Sequence, residues 1–422
     1  MILPSAATPV GMLRGATLAD GSRVDILLEG ELVSDVVPAG TGRPPAYGGI
    51  LDVEGHVVTA AAAEPHGHLD KAFSWERIDP PHGDLERAIE SWHSYAATMS
   101  EDDILTRARR AAGLMLAAGI TAVRSHVDLL PGPDPLRGVR ALVRLRDELS
   151  GLMDLELVAL GGWTADDEVF EAALDAGVDL VGGAPHLAPD PFGDLDRILA
   201  IARRRGVGID LHTDESLDGA ATLAAYARAV AGWDVPRTAG HCVRLSTMDR
   251  TELDAVLADV ARAGIGVVAL PITNLYLQGR GHERSVPRGI APIRRLRDAG
   301  VRVAAGADNI RDPFNPVGRC DPFETASLLV AAAHLSPEEA VAAVTDDARD
   351  VMTLPPAGPR AGARADLLAV AAASLGDAVA LAPAERIVIH RGRLVSRTTV
   401  TVESAAAAPP RATAPIGKAS AA

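Results

Sequence analysis

The sequence predicts an α/β protein, a (β/α)8 TIM-like barrel with a small β-sandwich domain formed from both termini. Between about residues 100 and 335, short β-branched or apolar runs alternate with amphipathic stretches of helical length, which is the βαβ pattern. With one further run in front, these number eight, the count that closes a parallel barrel. The two flanks read differently, as short strand-like pieces broken by Gly and Pro. At 422 residues and 48% hydrophobic composition, the chain carries ample apolar material for a core of that size.

In chain order, residues 1–55 hold β-like pieces such as RVDILLEGELVSDVVP and open the small β domain, which residues 355–402 complete with DLLAV and ERIVIHRGRLVS. The barrel spans 56–354. Its strand candidates are His56–Ala63, Thr121–Val127, Leu155–Leu160, Val178–Val181, Gly206–His212, Arg237–His241, Gly266–Leu270 and Val301–Gly306. Helix candidates between them include Glu101–Ala118, Pro135–Ser150, Leu217–Ala231 and Ser246–Ala263, several followed by a Gly suited to a C-terminal cap. The tail 403–422 is Ala/Pro-rich with nothing to bury and is expected to be disordered.

Composition excludes several classes of function. With 56 acidic against 41 basic residues and a net charge of -15, a nucleic acid polymer is not a partner. No run of about 18 apolar residues exists to span a membrane, and the N-terminus lacks a signal-peptide pattern. Cys242 and Cys320 are too few for a disulfide framework and form no CxxC pair, so a cytoplasmic location is expected. A homo-oligomer is compatible with all of this. Only Lys71 and Lys418 are lysines, and aromatics are 3%.

Reactive groups of such a barrel belong at the C-terminal ends of its strands. The first run leads into Glu64-Pro65-His66-Gly67-His68-Leu69-Asp70-Lys71, where two histidines at i and i+2 on an extended segment face the same side. The fifth ends in His212-Thr213-Asp214-Glu215, the sixth in His241 and the eighth in Gly306-Ala307-Asp308-Asn309. His66, His68, His212 and Asp308 make a three-imidazole, one-carboxylate set suited to Zn²⁺ or Fe²⁺ with a position left for water. A divalent ion lowers the pKa of a coordinated water toward neutrality and so makes a nucleophile of it. Asp308 can take up the water's proton, and Glu215 can pass one to a ring nitrogen of a substrate. His241 orients the water or steadies the developing oxyanion.

Together, EPHGHLDK, VRSHVD, GAPH, IDLHTDE, GHC, NLYLQGR and GADNIRDPFNPVG resemble the amidohydrolase superfamily, and within it the cytosine deaminase group, over about residues 50–350. The resemblance assigns the same roles to Glu215, His241 and Asp308 and implies a metal-dependent aminohydrolase with a small-molecule substrate. Binuclear members carry a bridging lysine at the end of the fourth strand. Here that end reads Gly182-Gly183-Ala184-Pro185-His186, so one metal ion per chain is expected.

The chain departs from cytosine deaminase where that enzyme has a glutamine-bearing loop after the third strand. Gly161-Gly162-Trp163-Thr164 stands here, which points away from cytosine as the ring. Trp163 offers a stacking face, and Gln278, Asn309, Arg311 and Phe314 are further candidate substrate contacts. Arg311 either meets a substrate oxygen or pairs with Asp312. His126 and Asp128 are candidate partners behind the ligands, or structural hydrogen-bonding groups. His186 has the same two readings. Lys71 either neutralises Asp70 or meets a substrate anion. His56, His82, His93, His282, His334 and His390 read as surface or packing residues. The expected reaction is deamination of an amino-substituted pyrimidine, triazine, purine, pterin or cyclic amidine. Ring-opening hydrolysis of a cyclic amide is the alternative, and a non-catalytic binding protein on the same barrel the remote one.

Overall fold

The computed structural model describes residues 7–78 and 84–403; His82 and the tail from residue 404 lie outside the described residues. The strands, in chain order, begin with β1 (Thr8–Thr17), β2 (Arg23–Glu29), β3 (Leu32–Pro38), β4 (Gly49–Asp52) and β5 (Val57–Ala60). Eight more follow as β6 (Ala62–Gly67), β7 (Ile120–Asp128), β8 (Asp154–Gly161), β9 (Leu180–Gly183), β10 (Gly208–Thr213), β11 (Arg237–His241), β12 (Gly266–Ala269) and β13 (Arg302–Ala305). The chain ends with β14 (Leu367–Val370), β15 (Arg386–His390) and β16 (Arg393–Thr398). Two compact units result among the described residues, one covering 62–78, 84–116 and 120–355, the other 7–61, 117–119 and 356–403.

In the larger unit, β6 to β13 pair in sequence order as one parallel sheet. A parallel bridge between Gly67 and Asp308 brings the last strand back to the first and closes the barrel. Four of these strands are buried along their whole length and the other four expose no residue fully, as expected of a parallel sheet covered by helices. Helix Glu101–Ala118 has the predicted bounds. Helix Arg250–Ala263 starts later than its apolar pattern, because Asp249 accepts from Glu252 N and sets the N-cap, and it stops at Gly264 with φ 64°. The stretch read as a helix from Leu217 is helical only over Leu223–Ala229. Asp214 accounts for the shortening: its carboxylate accepts from the N–H groups of Thr222 (2.7 Å) and Leu223 (3.1 Å), which holds 215–222 as a loop.

The run His56–Ala63 is not one barrel strand. Val57–Ala60 forms β5, antiparallel to β14, and Ala62–Gly67 forms β6 of the barrel, with Ala61 between them. No Gly or Pro marks this change of sheet, so nothing in the apolar run separates the two.

The second unit is an eight-stranded sheet ordered β16-β15-β14-β5-β1-β2-β3, with β4 on β1, and it curls back on itself through a β1–β16 pairing. Leu13, Ile26, Val53, Leu367 and Ile389 fill its core. Asp366 is buried there. Burial pushes its carboxyl up, but His390, the Arg364 charge and the Arg391 N–H (2.8 Å) outweigh this and hold it at about 2. A depressed carboxylate contributes stability above its unfolded pKa of about 3.9 and loses it as pH falls through the folded value. Asp366→Asn is therefore expected to cost about 2 kcal/mol near pH 6, with the gap to wild type closing between about pH 4 and pH 2. Urea midpoints across that range check this; a constant gap would show that the carboxylate charge is not what stabilises the fold.

Candidate active site

The C-terminal ends of β6, β10, β11 and β13 bring the predicted residues to one place. His66 lies on β6, and His68 just beyond it donates its backbone N–H to the Asp308 carbonyl (3.2 Å). Nε2 of His212, on β10, lies 3.2 Å from Nε2 of His66 and 3.1 Å from Nε2 of His68. Oδ1 of Asp308 is 3.2 Å from His68 Nε2 and 3.9 Å from His66 Nε2, while Oδ2 faces His241 Nε2 at 4.0 Å. Glu215 Oε1 is 3.6 Å from His241 Nδ1, on the side away from the Asp308 contact. Non-glycine residues at two of these strand ends hold left-handed backbone, His241 at φ 68° and Asp308 at φ 65°, conformations kept where surrounding structure demands them.

This donor set fits a divalent cation. His66 Nε2 and His68 Nε2 both face His212 Nε2, and the three cannot all satisfy one another, since a neutral ring has a single proton to donate. Neither oxygen of Asp308 has a hydrogen-bond partner although both are buried, and His241 Nε2 is likewise unpaired. Among the described residues, His66, His68 and Asp308 bring ligand atoms within 4.8 Å of one another, as do His66, His212 and His241. Nitrogen and oxygen lone pairs aimed at one buried point are costly unless a positive centre occupies it.

Behind the cluster stand residues that the sequence pattern only partly disclosed. Lys71 is buried, with Nζ 3.1 Å from His68 Nδ1 and 2.5 Å from Asp128 Oδ1, so its carboxylate partner is Asp128; the Asp70 carboxylate accepts instead from Asp128 N (3.0 Å). Trp92 Nε1 donates to the other Asp128 oxygen at 2.6 Å. The His126 ring lies against His66 with centroids 4.1 Å apart, and its Nε2 is 3.6 Å from Asp210 Oδ1. Arg124, fully buried, donates to the other oxygen of Asp210 (2.9 Å) and to Thr238 (3.1 Å). Glu64 accepts from His66 N (3.3 Å) and Ala307 N (2.9 Å), which ties the first barrel strand to the eighth. Arg124 and Asp210 each sit two residues before a site histidine. A charged residue alternating with His in an apolar strand was the available signal for both.

The candidate substrate contacts occupy different environments. Trp163 is 54% exposed on the loop after β8. Phe314 is buried, and Gln278 is half-buried after helix Pro271–Leu277. Asn309 is fixed by donating to Asp312 (2.8 Å). Arg311 is exposed and donates to Glu76, not to Asp312, whose carboxylate accepts from Asn309 and from the N–H groups of Phe314 and Asn315.

A sequence model of the amidohydrolase family matches residues 87–396. The chain belongs to this family. A pterin deaminase of Rhizobium rhizogenes strain K84 is 32% identical over 415 residues, covering 94% of each chain. Among solved structures, 5-methylcytosine deaminase from Klebsiella pneumoniae liganded with 5-fluorocytosine superposes with a TM-score of 0.84 at 25% identity, covering 93% of this chain and 99% of that one. N-isopropylammelide isopropylaminohydrolase from Burkholderia multivorans gives 0.78 at 30% identity, covering 92% and 98%. As an amidohydrolase, the chain is an enzyme that hydrolyses carbon–nitrogen bonds.

The electrostatics of this amidohydrolase favour neutral imidazoles at the barrel mouth. Burial first, then mutual repulsion, holds His66 and His212 well below the usual histidine range. Burial pushes the Glu215 carboxyl up to about 8, against the pull of the Lys71 charge. Burial and the neighbouring Glu215, Asp312 and Glu64 carboxyls raise Asp308 as well. Crowded, desolvated acids beside neutral nitrogen ligands form a site whose missing partner is positive charge. Among the described residues, no helix is long and apolar enough to cross a membrane.

Proposed function

We propose that this amidohydrolase deaminates a pterin, a bicyclic 2-amino-4-oxo heterocycle, converting it with one water into the corresponding lumazine and ammonia. The convergence of His66, His68, His212 and Asp308 beside Glu215 and His241 carries this reading. The four would hold one Zn²⁺ or Fe²⁺ per chain, which supplies Lewis-acid activation of water. A single ion is supported by the absence of any lysine between Lys71 and Lys418. Asp308 Oδ2, on the His241 side, takes a proton from the attacking water. Glu215 delivers one to N1, next to C2, so that C2 accepts the oxygen. The proton held by Asp308 then passes to the amine, which departs as ammonia as the C2–N bond breaks, and the hydroxyl proton released as the C2 carbonyl forms returns to Glu215. His241, fixed by Asn274 Nδ2 at 3.1 Å from its Nδ1, orients the water between them.

The pterin ring is supported by the 32% identity to the Rhizobium enzyme along nearly the whole chain. The loop after β8, with exposed Trp163 and no amide, suits stacking on a flat bicycle better than reading a pyrimidine edge. Two buried, unpaired cysteines agree with a reducing cytoplasm. Incubation of the metal-loaded enzyme with pterin is expected to release one ammonia per pterin and leave lumazine, read by a coupled ammonia assay and by mass. A product with a new carboxylate and no ammonia would establish ring opening instead; an untouched pterin would overturn the substrate assignment.

A further inference from the structure

The loop after β9 carries a polar group that the chemistry above leaves unused. His186 lies in the short 3-10 turn Pro185–Leu187, and its Nδ1 is 3.2 Å from the backbone carbonyl oxygen of His212. A carbonyl oxygen only accepts, so Nδ1 is the nitrogen that bears hydrogen. No carboxylate among the described residues pairs with this ring. An imidazole with its single proton on Nδ1 presents Nε2 as a bare acceptor, and Nε2 is buried without a hydrogen-bond partner. The residue as a whole is only partly buried, and its contact with the His212 carbonyl puts it at the end of the barrel where the strands deliver the site. His241 stands opposite Thr213 in the β10–β11 ladder, so His186 and His241 flank the same strand end.

We infer that Nε2 of His186 is a specificity-determining acceptor for the N–H of the substrate's amidine edge, N3–H of a pterin, next to the carbon that loses its amine. This rests on the pterin reading above. A buried acceptor left without its donor penalises a ring that cannot supply an N–H, which gives the site a means of refusing N3-alkylated analogues. A purely structural His186 would need Nδ1 alone, for the His212 carbonyl; the two roles therefore reside on different atoms of one ring.

That separation sets the test. His186→Asn keeps an amide N–H where Nδ1 stands and removes any counterpart of Nε2, whereas His186→Gln reaches the Nε2 position with an amide oxygen. In the holoenzyme, H186N is expected to keep metal content and thermal midpoint, to lose roughly 10- to 100-fold in kcat/KM on pterin, and to discriminate far less between pterin and 3-methylpterin. H186Q should recover part of both. Wild-type kcat/KM and discrimination in H186N would overturn the inference while leaving the pterin reading intact, and so would loss of metal together with activity, which marks a structural role. A wild-type enzyme inert toward pterin would overturn both.

Discussion

Glu215→Gln is expected to leave the protein folded and its metal content unchanged while lowering kcat by about 10³-fold or more. Glu215 follows β10 by two residues, is 4% exposed, and places Oε1 3.6 Å from His241 Nδ1 while Asp308 lies on the other side of that ring. Burial raises its carboxyl to about 8, so at neutral pH it holds the proton that the proposed chemistry passes to a ring nitrogen before C2 becomes electrophilic. Glutamine has nearly the same shape and cannot transfer a proton. The loss should therefore appear in kcat, with pterin binding preserved, since an interaction used only on the way to the transition state has been removed. Metal analysis and fluorescence titration with pterin, run beside turnover, separate this from collapse of the site. Activity within tenfold of wild type would take Glu215 out of proton transfer and leave Asp308 to act alone.

The barrel and its cluster were legible because the two rest on the same periodicity. Alternation along a strand puts His66 and His68 on one side, and the rule that strands deliver chemistry at their C-terminal ends gathers His212, His241 and Asp308 from across 240 residues of chain. What escaped the sequence are contacts made between strands far apart in the chain. Arg124 meets Asp210 and Thr238 inside the barrel, and nothing local to any of the three announces the others. Lys71 could be read as an isolated cation beside Asp70, but only the fold shows that Asp128 and Trp92 complete its surroundings. The division of 57–67 into strands of two different sheets was hidden for a related reason: an unbroken apolar run is compatible with either sheet, and pairing partners decide which.

Gly240→Ala is expected to weaken metal binding on the order of 10- to 100-fold and to abolish most turnover, though it alters no ligand and no charge. Gly240 stands opposite His212 in the β10–β11 ladder and one residue before His241. A Cβ at this position would come within 2.7 Å of His66 Cε1 and 2.8 Å of His66 Nδ1, well inside van der Waals contact. The imidazole has nowhere to retreat, because the His126 ring lies at a centroid distance of 4.1 Å and the His212 ring at 4.5 Å. Close-packed interiors accommodate one extra methyl by moving what it touches, and here that is His66, the first of the residues proposed to hold the metal. Metal per chain after gentle purification, expected to be about one in the wild type, should drop well below that in G240A while far-UV circular dichroism is unchanged. The same substitution at Gly162, where an added Cβ meets nothing within 4 Å, should leave metal content alone. If G240A retains its metal, His66 is not held where the fold places it, and the ligand set loses the residue shared by all of its groupings.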